Sequence, residues 1–563
     1  MTHHPSPITP WRWLLWLPLL FLAAFFLYPL AAVTLRGLAA GLTGPLAVFG
    51  DPYYAELLWF TTWQAVLSTL LTLGLALPGA YVFAHYEFRG KVLLRALATV
   101  PFVLPIVVVA AAFAALLGPR GLLNTALQTL FGLQQPPVQL QQTLAIILIA
   151  HVFYNYAVVL RLVGGFWANL DPQLEQAAAV LGAGKWRRLL RVSVPLLAPA
   201  LGAAALLVFL FTFTSFGVIL VLGGPRFATI EVEIYRQTAQ LLRLDIAATL
   251  ALIQLACTLL CTLFYSRLAA RMAVPLNLRP RSAVARRPRS RPARLFLAAN
   301  ILLMLLLCVA PLAALLLRAF TSLEDGTPTL DYFWALGENP TGSVFYVPPL
   351  EAIRNSLLFA VVSTAAALLL GSLAAYLLVG AGPLPKNSRF SRLLDALFTL
   401  PLGASPVTLG LGLLIGLSLA PLAWLRTSPL LVPIAHTLVA LPFVVRALLP
   451  VLRGLNPRMR EAGAILGARP GRIWRRIELP LIFPGLLSGA IFAFTVSLGE
   501  FGATLLVARP DYPTVPLLIF RLLGQPGALN YGQAMALSSI LLLITATGFV
   551  LLERFRYGTI GEF

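Results

Sequence analysis

Leu174-Glu175-Gln176-Ala177-Ala178-Ala179-Val180-Leu181-Gly182-Ala183 returns later in the chain as Arg460-Glu461-Ala462-Gly463-Ala464-Ile465-Leu466-Gly467-Ala468. Superposing the two glycines sets an offset of 467 − 182 = 285 residues, and the same offset holds outward from the motif. It pairs His151, Arg161, Pro172, Arg187, Arg191, Pro195 and Pro199 with His436, Arg446, Pro457, Arg472, Arg476, Pro480 and Pro484. Beyond these it pairs Phe216, Gly217, Thr229 and Arg236 with Phe501, Gly502, Thr514 and Arg521. One register kept over such a distance means that the chain is two copies of one unit.

Both copies of the motif are basic islands between long apolar runs. The 563 residues are 59% hydrophobic and only 11% charged, where a soluble chain carries about 25% charged residues. Runs of about 20 apolar residues are what a helix needs to cross a hydrocarbon core. The expected fold is therefore an all-α polytopic membrane protein with twelve spans in two pseudo-symmetric six-helix halves. The spans read as 11–35, 57–84, 93–117, 142–165, 198–222 and 246–268, then 296–317, 355–379, 394–418, 429–450, 483–507 and 533–552. The first of them is too long for a signal-peptide core and reads as a retained span.

The net charge of +21 suits positive-inside topology better than nucleic-acid binding, because the basic residues sit in short loops. Arg89, Lys91 and Arg95 mark the loop after span two as cytoplasmic, and Lys386, Arg389 and Arg392 mark its repeat. The loop at 319–354, with Glu324, Asp325, Asp331, Glu338 and Glu351, suits the outside. Both termini then lie inside. The first half covers 1–270 with a cytoplasmic loop at 166–197, and the second covers 295–563 with a loop at 451–482. Between them, 271–294 carries Arg279-Pro280-Arg281 and Arg286-Arg287-Pro288-Arg289, an extended basic linker for an anionic membrane surface. Cys257, Cys261 and Cys308 lie in apolar segments with no acid or histidine beside them to complete a metal site.

Each motif loop has the parts of a rigid lever. Ala177 and its alanine neighbours, like Ala462, form helix readily and leave a smooth face. Gly182 and Gly467 can take the positive φ that turns one helix into the next. Arg187 and Arg191, and Arg472 and Arg476, are four apart and share a face that can rest on headgroups. Pro195 and Pro480 suit the first turn of the following span. The segment E-A-A-x-x-x-G, a basic stretch and L-P-x-x-x-P resembles the cytoplasmic loop of binding-protein-dependent ABC importer permeases with two fused domains. The resemblance implies that each loop docks in a groove of a separate ATPase, one copy of an ATPase homodimer per loop. It implies coupling roles for Glu175, Gln176, Ala177, Gly182, Pro195, Glu461, Ala462, Gly467 and Pro480. The second copy keeps the family acid as Glu461, whereas the first has Gln176 there and Glu175 one residue earlier. One residue is about 100° around a helix, so the resemblance implies the stronger charged contact in the second half.

Nothing in the chain reads as an ATPase. Gly182-Ala183-Gly184-Lys185 is followed by Trp186, where a phosphate-binding loop needs Ser or Thr. ATP and Mg²⁺ are therefore expected on the partner, with no cofactor on this chain. A second partner, an extracytoplasmic binding protein, would deliver the substrate.

Candidate pathway residues are Glu500, in Leu498-Gly499-Glu500-Phe501-Gly502, and its counterpart Ser215. Glu500 is expected roughly 27 Å up its span, near the outer interface, at 1.5 Å per residue. His151 and His436 read as a shared structural contact rather than metal ligands. Pro101, Pro105, Pro401 and Pro406 are expected to kink or break the third span of each half. The function expected is an ATP-driven importer permease in a prokaryotic cell membrane, with ferric iron as substrate and thiamine or its phosphates as the alternative. Leu498–Gly502 resembles the iron type, while Ala150–Asn155 and Thr229–Tyr235 resemble the thiamine type. An ion-coupled secondary transporter, the competing class, would need ionisable residues near the midplane, and these spans hold almost none.

Overall fold

A computed structural model describes residues 12–39, 48, 50–272, 287–338, 347–379, 389–418 and 422–559. Arg279, Pro280, Arg281, Arg286 and Lys386, on which part of the linker and topology reading rests, lie outside these residues. Among the described residues the regular secondary structure is helical, apart from isolated bridge positions such as the antiparallel pair Thr321 and Pro328. Eleven helices among the described residues are long and apolar enough to cross a membrane, or twelve if Leu393–Gly403 and Pro406–Gly416, bent by 100°, are one broken span. The polytopic all-α architecture is thus as expected. The third span of each half breaks at its prolines: Lys91–Val103 gives way to Ile106–Leu117 across Leu104 and Pro105. Proline lacks an N–H and crowds the carbonyl four residues back, so the helix ends there.

Two expectations need correction. Spans five and eleven do not start at 198 and 483; helix runs without interruption from Trp186 to Phe213 and from Pro470 to Gly499. Pro195 and Pro480 therefore stand inside long helices instead of at their first turns. Just before each proline lies one wide π-turn, Leu189–Ser193 and Trp474–Glu478, again 285 residues apart. The wider turn relieves the clash that a proline ring would make with the preceding turn. Neither span reaches 222 or 507 as one rod either. Each breaks, at Thr214-Ser215 and at Glu500-Phe501, and short helices follow. A helix at Leu122–Phe131 follows the third span of the first half and was not anticipated.

The halves exchange their first spans. Leu22 and Phe26, from the helix at 14–37, are buried with Phe359, Leu409 and Leu413 of the second half. Gly412 and Gly416, spaced as in a G-x-x-x-G pair, leave room for Pro29; a Cβ on Gly416 would stand 2.9 Å from its Cα. Reciprocally, Leu297, Met304 and Cys308 of span seven pack with Val159 and Val163 of the first half. Arg318 at the far end of that span donates to the carbonyl of Arg120 (2.5 Å) and to Thr125 Oγ1 (2.9 Å).

Candidate functional site: two motif helices and the seam between the halves

The first motif folds as a helix over Pro172–Val180 and the second over Pro457–Ile465. Asp171 Oδ1 accepts the amide of Gln173 (3.0 Å), and the paired Asn456 Oδ1 accepts that of Arg458 (3.1 Å), so each start is capped by its own side chain. Each end is a left-handed turn. Gly182 and Gly467 have φ of +81° and +75°. The amides of Ala183 and Ala468 reach back to the carbonyls of Ala178 and Gly463 at 2.9 and 3.0 Å, the double closure that a C-terminal glycine permits.

This corner holds two bulky aliphatic side chains in the open on each loop. Val180 and Leu181 are 88% and 87% exposed, and Ile465 and Leu466 are 86% and 85% exposed. Gln176 and Glu461 are exposed one turn before Val180 and Ile465, on the same face. Sequence reasoning missed this apolar tip because in a chain so hydrophobic two more aliphatic residues carry no signal. Glu175 is turned away from that face, toward the following span, where it accepts a hydrogen bond from Ser193. The 285-residue offset maps this pair onto Arg460 and Glu478. There the acid and its partner have changed places: Arg460 Nε meets Glu478 Oε1 at 2.7 Å and a second guanidinium nitrogen meets Oε2 at 3.1 Å. Tyr376 also donates to Glu478 Oε2 (3.2 Å) and accepts from Trp474 Nε1 (3.1 Å). Both motif helices are thus tied to the start of the next span, by different chemistry.

At the breaks after spans five and eleven the two halves meet. Phe216 and Phe501, equivalent residues, stack with ring centroids 5.8 Å apart and planes at 26°. Tyr235 packs edge-on against Phe216 at 5.7 Å, and its equivalent Phe520 packs edge-on against Phe501 at 5.4 Å. Four aromatic rings therefore form a symmetric row where the halves meet. His151 bridges Ser68 and Ser215, each at 2.9 Å, and His436 bridges Ser497 (2.7 Å) and Thr504 (2.8 Å). The paired histidines hold the broken ends, which is a structural contact in both halves. Ser215 is engaged in this way. Glu500 is buried, and its oxygens accept the amides of Ala503 (2.8 Å) and Thr504 (2.9 Å), with His436 at 3.5 Å. Its carboxylate caps the free amides of the short helix Gly502–Val507. Arg161 and Arg446 reach Thr99 and Thr399, at 3.2 and 3.4 Å, just before the breaks in the third spans.

A model of the binding-protein-dependent transport system inner membrane component matches residues 72–274 and again residues 367–556. The chain belongs to this family. As such it is a multi-pass permease subunit of an ABC importer and not itself an enzyme. A thiamine transport system permease protein of Brucella abortus (strain 2308) is 30% identical over 515 residues, with 89% of each chain covered. The protein of that name in Escherichia coli (strain K12) is 28% identical over 515 residues, covering 90% of each. A molybdenum transport system permease protein of Mycobacterium tuberculosis is 34% identical over 227 residues, which span 38% of this chain and 80% of the relative. The sequence reading placed ferric iron ahead of thiamine; these relatives favour the alternative.

Proposed function

We propose that this chain is the membrane subunit of an ATP-driven importer for thiamine or its phosphates. The observation that supports the substrate most directly is the likeness, along nearly the whole of both chains, to permeases named for thiamine transport. In this reading both termini and both motif loops lie in the cytoplasm, a binding protein delivers substrate on the other side, and ATP and Mg²⁺ stay on the partner ATPase. Two copies of that ATPase receive Val180-Leu181 and Ile465-Leu466 in apolar sockets, with Gln176 and Glu461 at the rim. A rigid helix with a fixed corner transmits ATPase closure to spans five and eleven, which continue unbroken from the loop to the aromatic seam. Opening that seam admits substrate between the halves.

The test is reconstitution of the chain with the ATPase and binding protein encoded beside it. ATP hydrolysis should rise when thiamine-loaded binding protein is added and not with ferric iron. Stimulation by iron alone would reverse the choice of substrate, and failure to bind any ATPase would overturn the importer mechanism for this chain.

A further inference from the structure

Two carboxylates lie two residues apart on the short helix Ile230–Tyr235 that follows the first seam break, and the structure treats them differently. Glu233 is fully engaged inside its own half. Tyr53 donates to Oε2 at 2.8 Å, Gln237 donates to Oε1 at 2.6 Å, and Arg236 stands at 3.9 Å. Glu231 is 0% exposed; the amide nitrogen of Gln254 donates to one oxygen, and the hydroxyl of Ser405, from the second half, stands by the carboxyl group as a second donor. Its other oxygen and the amide oxygen of Gln254 are both buried and make no hydrogen bond of ordinary geometry among the described residues. A buried carboxylate held by so few hydrogen bonds is costly in an apolar interior, and a cation or a strong donor group offsets that cost.

The position of this pair is as informative as its chemistry. Helix Ile230–Tyr235 packs against the second half at Pro406–Gly416, where Ser405 of the broken third span lies beside the Glu231 carboxyl group. Thr258, one turn along from Gln254, donates to the carbonyl of Gly403 across the same boundary at 3.0 Å. Glu231 is also four residues before Tyr235, so it lies one helical turn from the aromatic row on the same face. The equivalent of Glu231 in the second half is Pro516 (231 + 285), so only one side of the axis carries the charge.

We infer that Glu231, with Gln254, is a station for the cationic ring of an aromatic substrate as it passes the seam, the rings of Phe216, Tyr235, Phe501 and Phe520 forming the adjoining wall. A fixed positive charge on a flat ring satisfies both needs, a counter-ion for the carboxylate and a face for the aromatics. The inference rests on the thiamine reading, since thiamine carries such a ring.

Radiolabelled thiamine uptake into proteoliposomes holding the full chain, its ATPase and its binding protein tests it. Glu231→Gln keeps the shape and the hydrogen bond to Gln254 but removes the charge, and should lower uptake by about tenfold or more. Glu233→Gln should stay within about twofold of the wild type, because its tyrosine and glutamine partners can still bond to an amide. Wild-type uptake with an unimpaired Glu231→Gln variant would overturn this inference and leave the substrate reading standing. A wild type that moves no thiamine would overturn the substrate reading and this inference with it. If Glu231→Gln does not assemble with the ATPase, Glu231→Asp decides: a raised KM for uptake supports the station, and an unchanged KM overturns it.

Discussion

The two motif helices have the same length, the same kind of N-cap, the same glycine corner and the same exposed aliphatic tip, yet they are fastened differently. In the first half Glu175 on the motif helix meets the hydroxyl of Ser193. In the second half the motif helix offers Arg460, and Glu478 answers with both oxygens while also holding Tyr376. Tyr81, the residue that matches Tyr376 at an offset of 295, packs edge-on against Trp167 at 5.3 Å. The difference teaches that the fold requires a tie at this point and is indifferent to which side supplies the acid.

The largest effect should come from the feature the loops share. Leu181→Asp or Leu466→Asp puts a charge where an aliphatic side chain would be buried, forfeiting about 1.5–3 kcal/mol of apolar burial and adding a desolvation cost. ATPase binding, measured by co-purification and by titration, should weaken by about 100-fold or more in either variant. A much milder loss at Leu181 would show that the loops differ in docking as well as in fastening.

A smaller effect should separate the fastenings. Glu478→Ala removes the partner of Arg460 and of Tyr376, while Ser193→Ala leaves Glu175 free to meet water. Because Arg460 keeps a third of its side chain exposed, the ion pair is worth about 1 kcal/mol, and the serine contact about half of that. Uptake at saturating substrate should fall several-fold for the first and less than twofold for the second. The exchanged pair Arg460→Glu with Glu478→Arg should recover most of the loss, and failure to recover would show that Tyr376 rather than the ion pair carries the tie.

The smallest effect should come from making the rims alike. Gln176→Glu gives the first loop the acid of the second on a fully solvated face, and should change ATPase affinity by less than about threefold. A larger change would place that rim inside the contact.

The duplication, the polytopic helical class and the proline breaks of the third spans were legible because each leaves a local mark: a constant offset, a long apolar run, a ring without an N–H. Gly182 and Gly467 were legible for the same reason. The motif loops could be found from sequence, but not their fastenings, since Glu175 and Arg460 look unrelated until their partners 18 residues on are known. The breaks at Ser215 and Glu500 were invisible to hydropathy because apolar residues continue across them. Glu500 stands out in the sequence as an acid in an apolar span, open to a pathway or a structural role, and only the fold shows that its oxygens cap the next helix.

By itself, then, the sequence determined what each segment is, because backbone propensity and side-chain hydropathy act within a turn or two of the residue that carries them. Which segments meet was decided only in the folded chain. The exchange of first spans depends on Gly412 and Gly416 facing Pro29, and the aromatic row on Phe216 meeting Phe501. The buried carboxyl group of Glu231 lies between Gln254 of one half and Ser405 of the other. Those contacts join positions far apart along the chain, and shape complementarity between distant surfaces has no periodicity from which it could be read.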